Sequence, residues 1–247
     1  MKTNMIHLGD CLELMVDIPD QSIDMILCDL PYGITSCKWD SRIPFDQLWA
    51  HYKRIIKPKG AIVLTASQPF TSALVMSNPK WFRCEWIWEK DNGTNFLDVN
   101  RKPFKVHESV LVFGKNSPTY YPQMTTGQRY NIKVNTHVRE RLGDKNLKRI
   151  DTLNSGTRFP RTIVRFPSIT SLPTEKGLHP TQKPVALFEY LIKTYTKEGE
   201  TVLDNCAGSG TTAVACLNTK RNYICIEKDT KYFNVMLSRV KNYQLKI

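Results

Sequence analysis

No apolar run in this chain of 247 residues approaches the ~20 residues that a membrane-spanning helix needs. Met1 to Met15 lack the basic-then-apolar pattern of a secretory signal, so a cytoplasmic protein is expected. The seven cysteines are Cys11, Cys28, Cys37, Cys84, Cys206, Cys216 and Cys225, an odd number with no C-x-x-C pair among them. That spacing argues against a zinc site and against a disulfide framework, and no metal is expected. Cys28 and Cys225 sit in apolar runs, where cysteine behaves as a small hydrophobe. Free thiols of this kind suit a reducing compartment. Internal repeats are absent, and the composition is that of a globular protein rather than a disordered one.

Acidic residues are the scarce charge. Asp plus Glu number 23 against 35 Lys plus Arg, a formal net charge of +12. Such an excess points to a polyanionic partner, of which nucleic acid is the commonest. Most of it lies between Lys115 and Leu178, where twelve cations face four acids. This segment is polar and shows no sustained periodicity. Irregular segments of that length inside compact domains are usually functional. Its denser clusters, Lys145, Lys148 and Arg149, then Arg158, Arg161 and Arg165, are the expected DNA contacts.

Elsewhere short apolar runs alternate with helical patterns. Strands are expected at Ile23 to Cys28, Ala61 to Ala66, Cys84 to Trp88, Ser109 to Phe113, Thr201 to Leu203 and Asn222 to Ile226. Lys57-Pro58-Lys59-Gly60 reads as a turn before the second of these. Helical periodicity covers Phe45 to Ile56, Val185 to Tyr195 and Tyr232 to Val240. Strands alternating with helices imply a layered α/β sheet. Trp86 and Trp88, at alternate strand positions, are expected in the core; His107 is read as structural or DNA-proximal.

Two constellations carry chemistry. Asp29-Leu30-Pro31-Tyr32-Gly33 follows an apolar strand directly. A carboxylate at a strand's C-terminal end sits where open α/β sheets bind ligands. Pro31 stiffens the turn, and Tyr32 sets a flat apolar face beside the acid. Acid, rigid turn and ring together suit a planar base bearing an amino group, although a plain strand-ending turn also fits. The second is TVLDNCAGSGTT, Thr201 to Thr212. Gly208 and Gly210 open a helix after a strand, so backbone can approach a ligand at a helix N-terminus. Glu227 ends the next apolar run 23 positions after Asp204, where this layout binds a ribose hydroxyl. Gly208, Gly210 and Ala213 also satisfy G-x-G-x-x-A, so a dinucleotide-dependent oxidoreductase stays open at this point.

With these motifs in this order, the chain resembles the amino DNA methyltransferases of the beta class. The matches are GDCLE at Gly9 to Glu13, DLPY at Asp29 to Tyr32, the basic insertion, HPTQKP at His179 to Pro184, and DNCAGSGTT at Asp204 to Thr212. The resemblance implies a Rossmann-like class I methyltransferase fold: a mostly parallel sheet with helices on both faces and a circularly permuted motif order. It implies residues 1–114 as the catalytic part, 115–178 as an inserted target recognition region, and 179–247 as the cofactor-binding part.

The activity implied is transfer of a methyl group from S-adenosylmethionine to the N6 amine of an adenine extruded from double-stranded DNA. Asp29 and the carbonyl of Leu30 would accept hydrogen bonds from that amine, Pro31 would fix the turn, and Tyr32 would stack on the base. The cofactor would lie over Asp204, Asn205, Cys206, Ala207, Gly208, Ser209, Gly210, Thr211 and Thr212. Glu227 would hold its ribose, Asp10 and Cys11 its adenine, and His179, Thr181 and Lys183 its methionine end. Two positions depart from the family pattern: Leu30 replaces a proline, and Cys206 stands where an aromatic is common. The resemblance is compatible with a homodimer, a cognate restriction endonuclease and a nucleoid-associated protein of bacterial or phage origin. Cytosine-N4 methylation is the nearest alternative, and Asp29, where that group often carries serine, favours adenine. A catalytically silent DNA-binding protein is opposed by the intact Asp29 and Tyr32.

Overall fold

Ile23–Cys28 is apolar at nearly every position rather than at alternate ones, the signature of a strand covered on both faces. The computed structural model of the protein describes residues 2–33, 40–132, 152–173, 175 and 177–245. Its larger unit, residues 1–121 and 162–247, is built on an eight-stranded sheet. Strands are β1 (Met5–Leu8), β2 (Ile23–Cys28), β3 (Ile56–Ala66), β4 (Phe82–Glu89), β5 (His107–Phe113), β10 (Ile163–Arg165), β11 (Thr201–Asp204) and β12 (Asn222–Glu227). Their order is β1-β12-β11-β2-β3-β5-β4-β10. Every pairing is parallel except those of β5 with β3 and β4. This is the Rossmann-like sheet that the motif order implies.

The two-residue period of a strand sorts its side chains into two cores. On one face Met25, Leu27, Ala61, Val63, Trp86, Trp88, Val110 and Val112 pack with α4 (Val185–Tyr195), α5 (Thr211–Thr219) and α6 (Thr230–Gln244). On the other, Ile26, Cys28, Ile62, Leu64, Leu111 and Phe113 pack with α1 (Cys11–Leu14), α2 (Phe45–Ile55) and α3 (Phe70–Ser77). The helices turn the expected stripes inward: Leu48, Trp49, Tyr52 and Ile55 of α2, and Leu187, Phe188, Leu191 and Ile192 of α4, are all buried. Among the described residues no helix is long and apolar enough to cross a membrane.

Several elements differ from expectation. The Lys57-Pro58-Lys59-Gly60 segment does not end a turn; β3 runs through it. Ile23 is opposite Ile56 and Met25 opposite Ala61, so extra residues on β3 are accommodated as a bulge. Lys57 there is ion-paired with Asp24 at 2.6 Å. The basic segment is also narrower as a separate body. Residues 122–161 form the second unit. Residues before and after it belong to the larger one, because Thr119 and Tyr121 hydrogen-bond to Lys59 and Thr194, and β10 extends the main sheet beside β4. The small unit holds two short antiparallel ladders. In one, β6 (Thr125–Thr126) pairs with β9 (Thr157–Arg158); in the other, β7 (Tyr130–Ile132) pairs with β8 (Thr152–Asn154).

Candidate active site

Strand order reverses between β2 and β11, which lie side by side although far apart in sequence. Open α/β sheets bind ligands beyond the strand C-termini at such a point. Asp29 follows β2, and Asp204 ends β11. Both line one cavity of ≈ 560 Å³ together with Asp10, Tyr32, Gly208 and Glu227, a size suited to a nucleoside-bearing ligand.

The glycine turn forms one half of the site. Gly208 and Gly210 have φ of +52° and +81°, a region that residues with a Cβ rarely occupy. At Gly210 a Cβ would also lie 2.6 Å from the Met236 side chain. Gly210→Ala should therefore lose about 2–4 kcal/mol of stability in urea denaturation. Glu227 braces the turn: Oε2 accepts from the Gly208 amide at 2.7 Å, and Oε1 from the Asp229 amide at 2.8 Å. Asp204 is buried and accepts from the Thr212 hydroxyl and the Cys206 amide. Burial, opposed by those donors, pushes its carboxyl up to about 7. Asn205 accepts from Tyr52 at 2.6 Å, and the Ala207 amide donates to Ile226. Asp204 and Asn205 thus shape the turn from below. Asp10 caps α1 by accepting from the Leu12 amide, and the Cys206 sulfur accepts from the Asn205 side-chain amide at 3.6 Å.

The His179 to Lys183 segment is fastened to this turn. Ser209 donates to Gln182 at 2.7 Å, and Thr211 donates to the Lys183 carbonyl at 3.2 Å. The His179 ring packs edge-on against Tyr232 and lies 3.5 Å from where a Gly208 Cβ would stand. Burial lowers its pKa to about 4, so at neutral pH its Nδ1 accepts from Thr181.

The other half is a row of charge. Asp29 Oδ1 accepts from the Tyr32 hydroxyl at 2.8 Å and from the Thr65 hydroxyl. Its Oδ2 accepts from Lys183 Nζ at 2.7 Å. Lys183 also lies 3.4 Å from Glu108 and 3.3 Å from the Thr181 carbonyl. Glu108 in turn binds Lys90. Burial alone would lower the Lys183 pKa; Asp29 and Glu108 outweigh it and hold the ammonium charged. Burial likewise opposes the Glu108 anion, and Lys183 and Lys90 prevail. Leu30 is buried, and the Tyr32 ring stacks on Phe70 with centroids 5.0 Å apart.

The structure thus brings the Asp29 to Tyr32 turn, the glycine turn, Asp10, Cys11, His179, Thr181 and Glu227 to one cavity. Lys183, expected at the methionine end of a cofactor, also lines this cavity; its ammonium donates to Asp29 and the Thr181 carbonyl and is ion-paired with Glu108. Sequence reasoning missed Thr65, Lys90 and the ionic role of Glu108. The signal was there: Thr65 continues the inward series Ala61, Val63; Lys90 continues Trp86, Trp88; Glu108 precedes Val110 and Val112. Of the expected DNA contacts, Lys145, Lys148 and Arg149 lie outside the described residues. Arg158 is engaged within the small unit: it hydrogen-bonds Gln128 and Asn154 and covers the Tyr130 ring at 4.4 Å. Arg161 is exposed, and Arg165, in the larger unit, pairs with Glu89 at 2.6 Å.

Residues 23–238 match the DNA methylase family model of N6 and N4 methyltransferases. The chain belongs to this DNA methylase family. Among similar proteins, the type II methyltransferase M2.MboI of Moraxella bovis is 28% identical, over 95% of this chain and 86% of its own. The DNA adenine methyltransferase YhdJ of Escherichia coli K12 is 26% identical, over 95% and 81%. The crystal structure of the M1.HpyAVI–SAM complex superposes with a TM-score of 0.64 at 26% identity, covering 95% of this methylase and 98% of that chain. The cytosine-N4-specific PvuII methyltransferase shares the fold alone, at 14% identity and a TM-score of 0.67 over 100% and 93%. In this methylase, then, the charged row and the glycine turn line opposite parts of one cavity.

Proposed function

We propose that this methylase acts as a beta-class enzyme on the exocyclic N6 amine of an adenine in duplex DNA, with S-adenosylmethionine as methyl donor. The observation that carries the reading is the geometry of Asp29. A carboxylate oxygen has two acceptor positions. Oδ1 already receives two donors and Oδ2 only one, so Oδ2 is the atom available to an amine. An exocyclic amine is a weak nucleophile because its lone pair is delocalised into the ring. Acceptors at Asp29 Oδ2 and the Leu30 carbonyl draw that lone pair out and stabilise the positive charge that grows on nitrogen. Preorganised groups of this kind are worth ~3–4 kcal/mol each by analogy with oxyanion donors. A base inside the helix cannot reach them, so extrusion is required. Asp at this position, and the adenine methyltransferase among the relatives, support adenine. The type II methyltransferases among them support a place beside a cognate restriction endonuclease.

The donor fits the residues present. The positive-φ Gly208 leaves the backbone bare beside the cavity, and Glu227 retains acceptor capacity on both oxygens. When bound, S-adenosylmethionine supplies an electrophilic methyl group; Gly208, Ser209 and Gly210 would cradle it, Glu227 would take the ribose hydroxyls, and Asp10 and Cys11 would meet the adenine. His179 and Thr181 would stand at the methionine end. Glu227→Gln should weaken cofactor binding by about 1.5–3 kcal/mol, the range for hydrogen bonds to a charged group. Turnover at saturating cofactor should change much less. An unaltered dissociation constant by titration calorimetry contradicts the ribose role.

DNA affinity should depend steeply on salt. About 4–7 phosphate contacts, most from the basic segment, give a log–log slope near −0.9 per contact. Neutralising Lys148 and Arg149 together should flatten the slope by about one to two units on cognate and random DNA alike. Fluorescence anisotropy across a salt series reads this; an unchanged slope makes the pair bystanders. The function itself is tested by incubating DNA with enzyme and labelled donor, digesting to nucleosides and separating them by mass. Label in N6-methyldeoxyadenosine is expected, and label in N4-methyldeoxycytidine overturns the choice of base.

A further inference from the structure

The connection from β4 to β5 holds large apolar side chains out in solvent. Phe96 is 75% exposed, Leu97 97% and Val99 41%. They sit on and beside a one-turn helix, Phe96–Asp98, whose support is firm. The Lys90 amide donates to the Val106 carbonyl at 2.7 Å, and the Thr94 amide to Lys105 at 3.1 Å. Asn95 accepts from the Lys105 amide at 2.7 Å and donates to the Pro103 carbonyl at 3.0 Å. Asp98 ties down the far side, accepting from the Arg101 amide at 2.8 Å and pairing with Lys102 at 2.8 Å. Gly93 lets the Phe104 ring lie against the backbone, where any Cβ would be 2.4 Å away. The base of this loop is also the wall of the active site: Lys90, Asn92, Gly93, Thr94 and Lys105 line the cavity that contains Asp29 and Tyr32.

A braced loop that presents apolar groups to water is built to place them in something. We propose that Phe96 and Leu97 form a wedge that enters the DNA stack at the target step and fills the space left by the extruded base. This rests on reading the cavity as the seat of that base. Charge selects duplex DNA over a second copy of the chain. Arg101 and Lys102, both exposed, follow the apolar tip and outweigh Asp98, to which Lys102 is paired, so the tip carries net positive charge suited to the phosphates beside a base step. Two such tips meeting face to face would set like net charge against like. Apolar wedges that hold a step open are a known way of stabilising unstacked DNA. A wedge here would offset the cost of extrusion at the edge of the pocket that receives the base.

The test uses the full chain and a duplex carrying its recognition site, mapped beforehand by sequencing DNA from expressing cells. Leu97→Ser and Phe96→Ser/Leu97→Ser are compared with the parent on that duplex and on one in which the target base faces an abasic site. Extrusion is cheap in the second. On the paired duplex kcat/KM should fall about 10- to 100-fold; on the abasic duplex it should stay within about three-fold. With 2-aminopurine at the target position, the parent should raise fluorescence and the double variant should not. Equal losses on both duplexes, or none on either, overturn the wedge, as does a double variant whose sedimentation shows lost self-association with normal extrusion. Failure of the parent to methylate either duplex is distinguishable from these, and removes the cavity reading and the wedge together.

Discussion

Replacing Asp29 by alanine is expected to lower methyl transfer by about 10³-fold or more, while cofactor affinity stays within a few fold. The loss is large because, in the reaction proposed, the carboxylate would meet the reacting nitrogen and the backbone carbonyl of Leu30 could not substitute for it. Cofactor affinity is spared because, among the described residues, Asp29 hydrogen-bonds to Tyr32, Thr65 and Lys183 and not to the glycine turn. The fold should survive as well, since Lys183 keeps Glu108 and the Thr181 carbonyl. Tritium transfer from labelled donor, with calorimetric titration of the same preparation, separates the two quantities. Appreciable transfer by the variant contradicts the role given to Asp29.

The second large effect belongs to Lys183. Its side chain is 6% exposed and stands between Asp29 and Glu108, themselves 20% and 14% exposed. Lys183→Met leaves two half-buried carboxylates sharing a site without the cation that separates them. Breaking a buried pair from one side costs 3–5 kcal/mol, and the residual exposure here places the loss at about 3. Its pH dependence follows from Glu108. Burial raises the pKa of that acid, but Lys183 and Lys90 together hold it below the ordinary value. In the parent, Glu108 therefore contributes stability above its unfolded pKa, and the contribution disappears as pH falls through the depressed one. In the variant burial gains the upper hand, the acid binds its proton more readily when folded, and stability rises as pH falls. The gap between the two proteins should thus be widest at pH 7–8 and should narrow toward pH 5 in thermal melts. A gap of constant size across that range contradicts the ionic account. Activity should fall too, because Asp29 then loses the contact that fixes Oδ2.

Much of this site was legible in the sequence, and the illegible part has a physical cause. Ile23–Cys28 and Val185–Tyr195 emerge as expected because each is a long, consistent pattern bounded by turn chemistry. Met5–Leu8 was missed: it is four residues long, lies at the sheet edge and is half exposed, so it has no apolar run to declare it. The ladders of the small unit are two or three residues each, shorter than any periodicity can register. Lys183 stood out as part of HPTQKP, yet its partner Asp29 lies 154 positions away. The packing of α4, which follows Lys183 directly, against β2, which precedes Asp29, brings the two together. Thr65, Lys90 and Glu108 were recoverable from strand period alone, as polar residues where an inward apolar series reaches the site's end of the sheet. Arg158 shows the converse limit: charge in sequence does not distinguish a cation facing DNA from one folded onto Tyr130.

Adenine N6 methylation within a defined site is tested most directly by single-molecule sequencing of DNA from cells expressing the protein, with Asp29→Ala cells as the control. The expected result is N6-methyladenine in one recurring sequence context, present with the parent and lost with the variant. N4-methylcytosine in that context contradicts the choice of base, and a modification that persists in the Asp29→Ala cells contradicts the catalytic site itself.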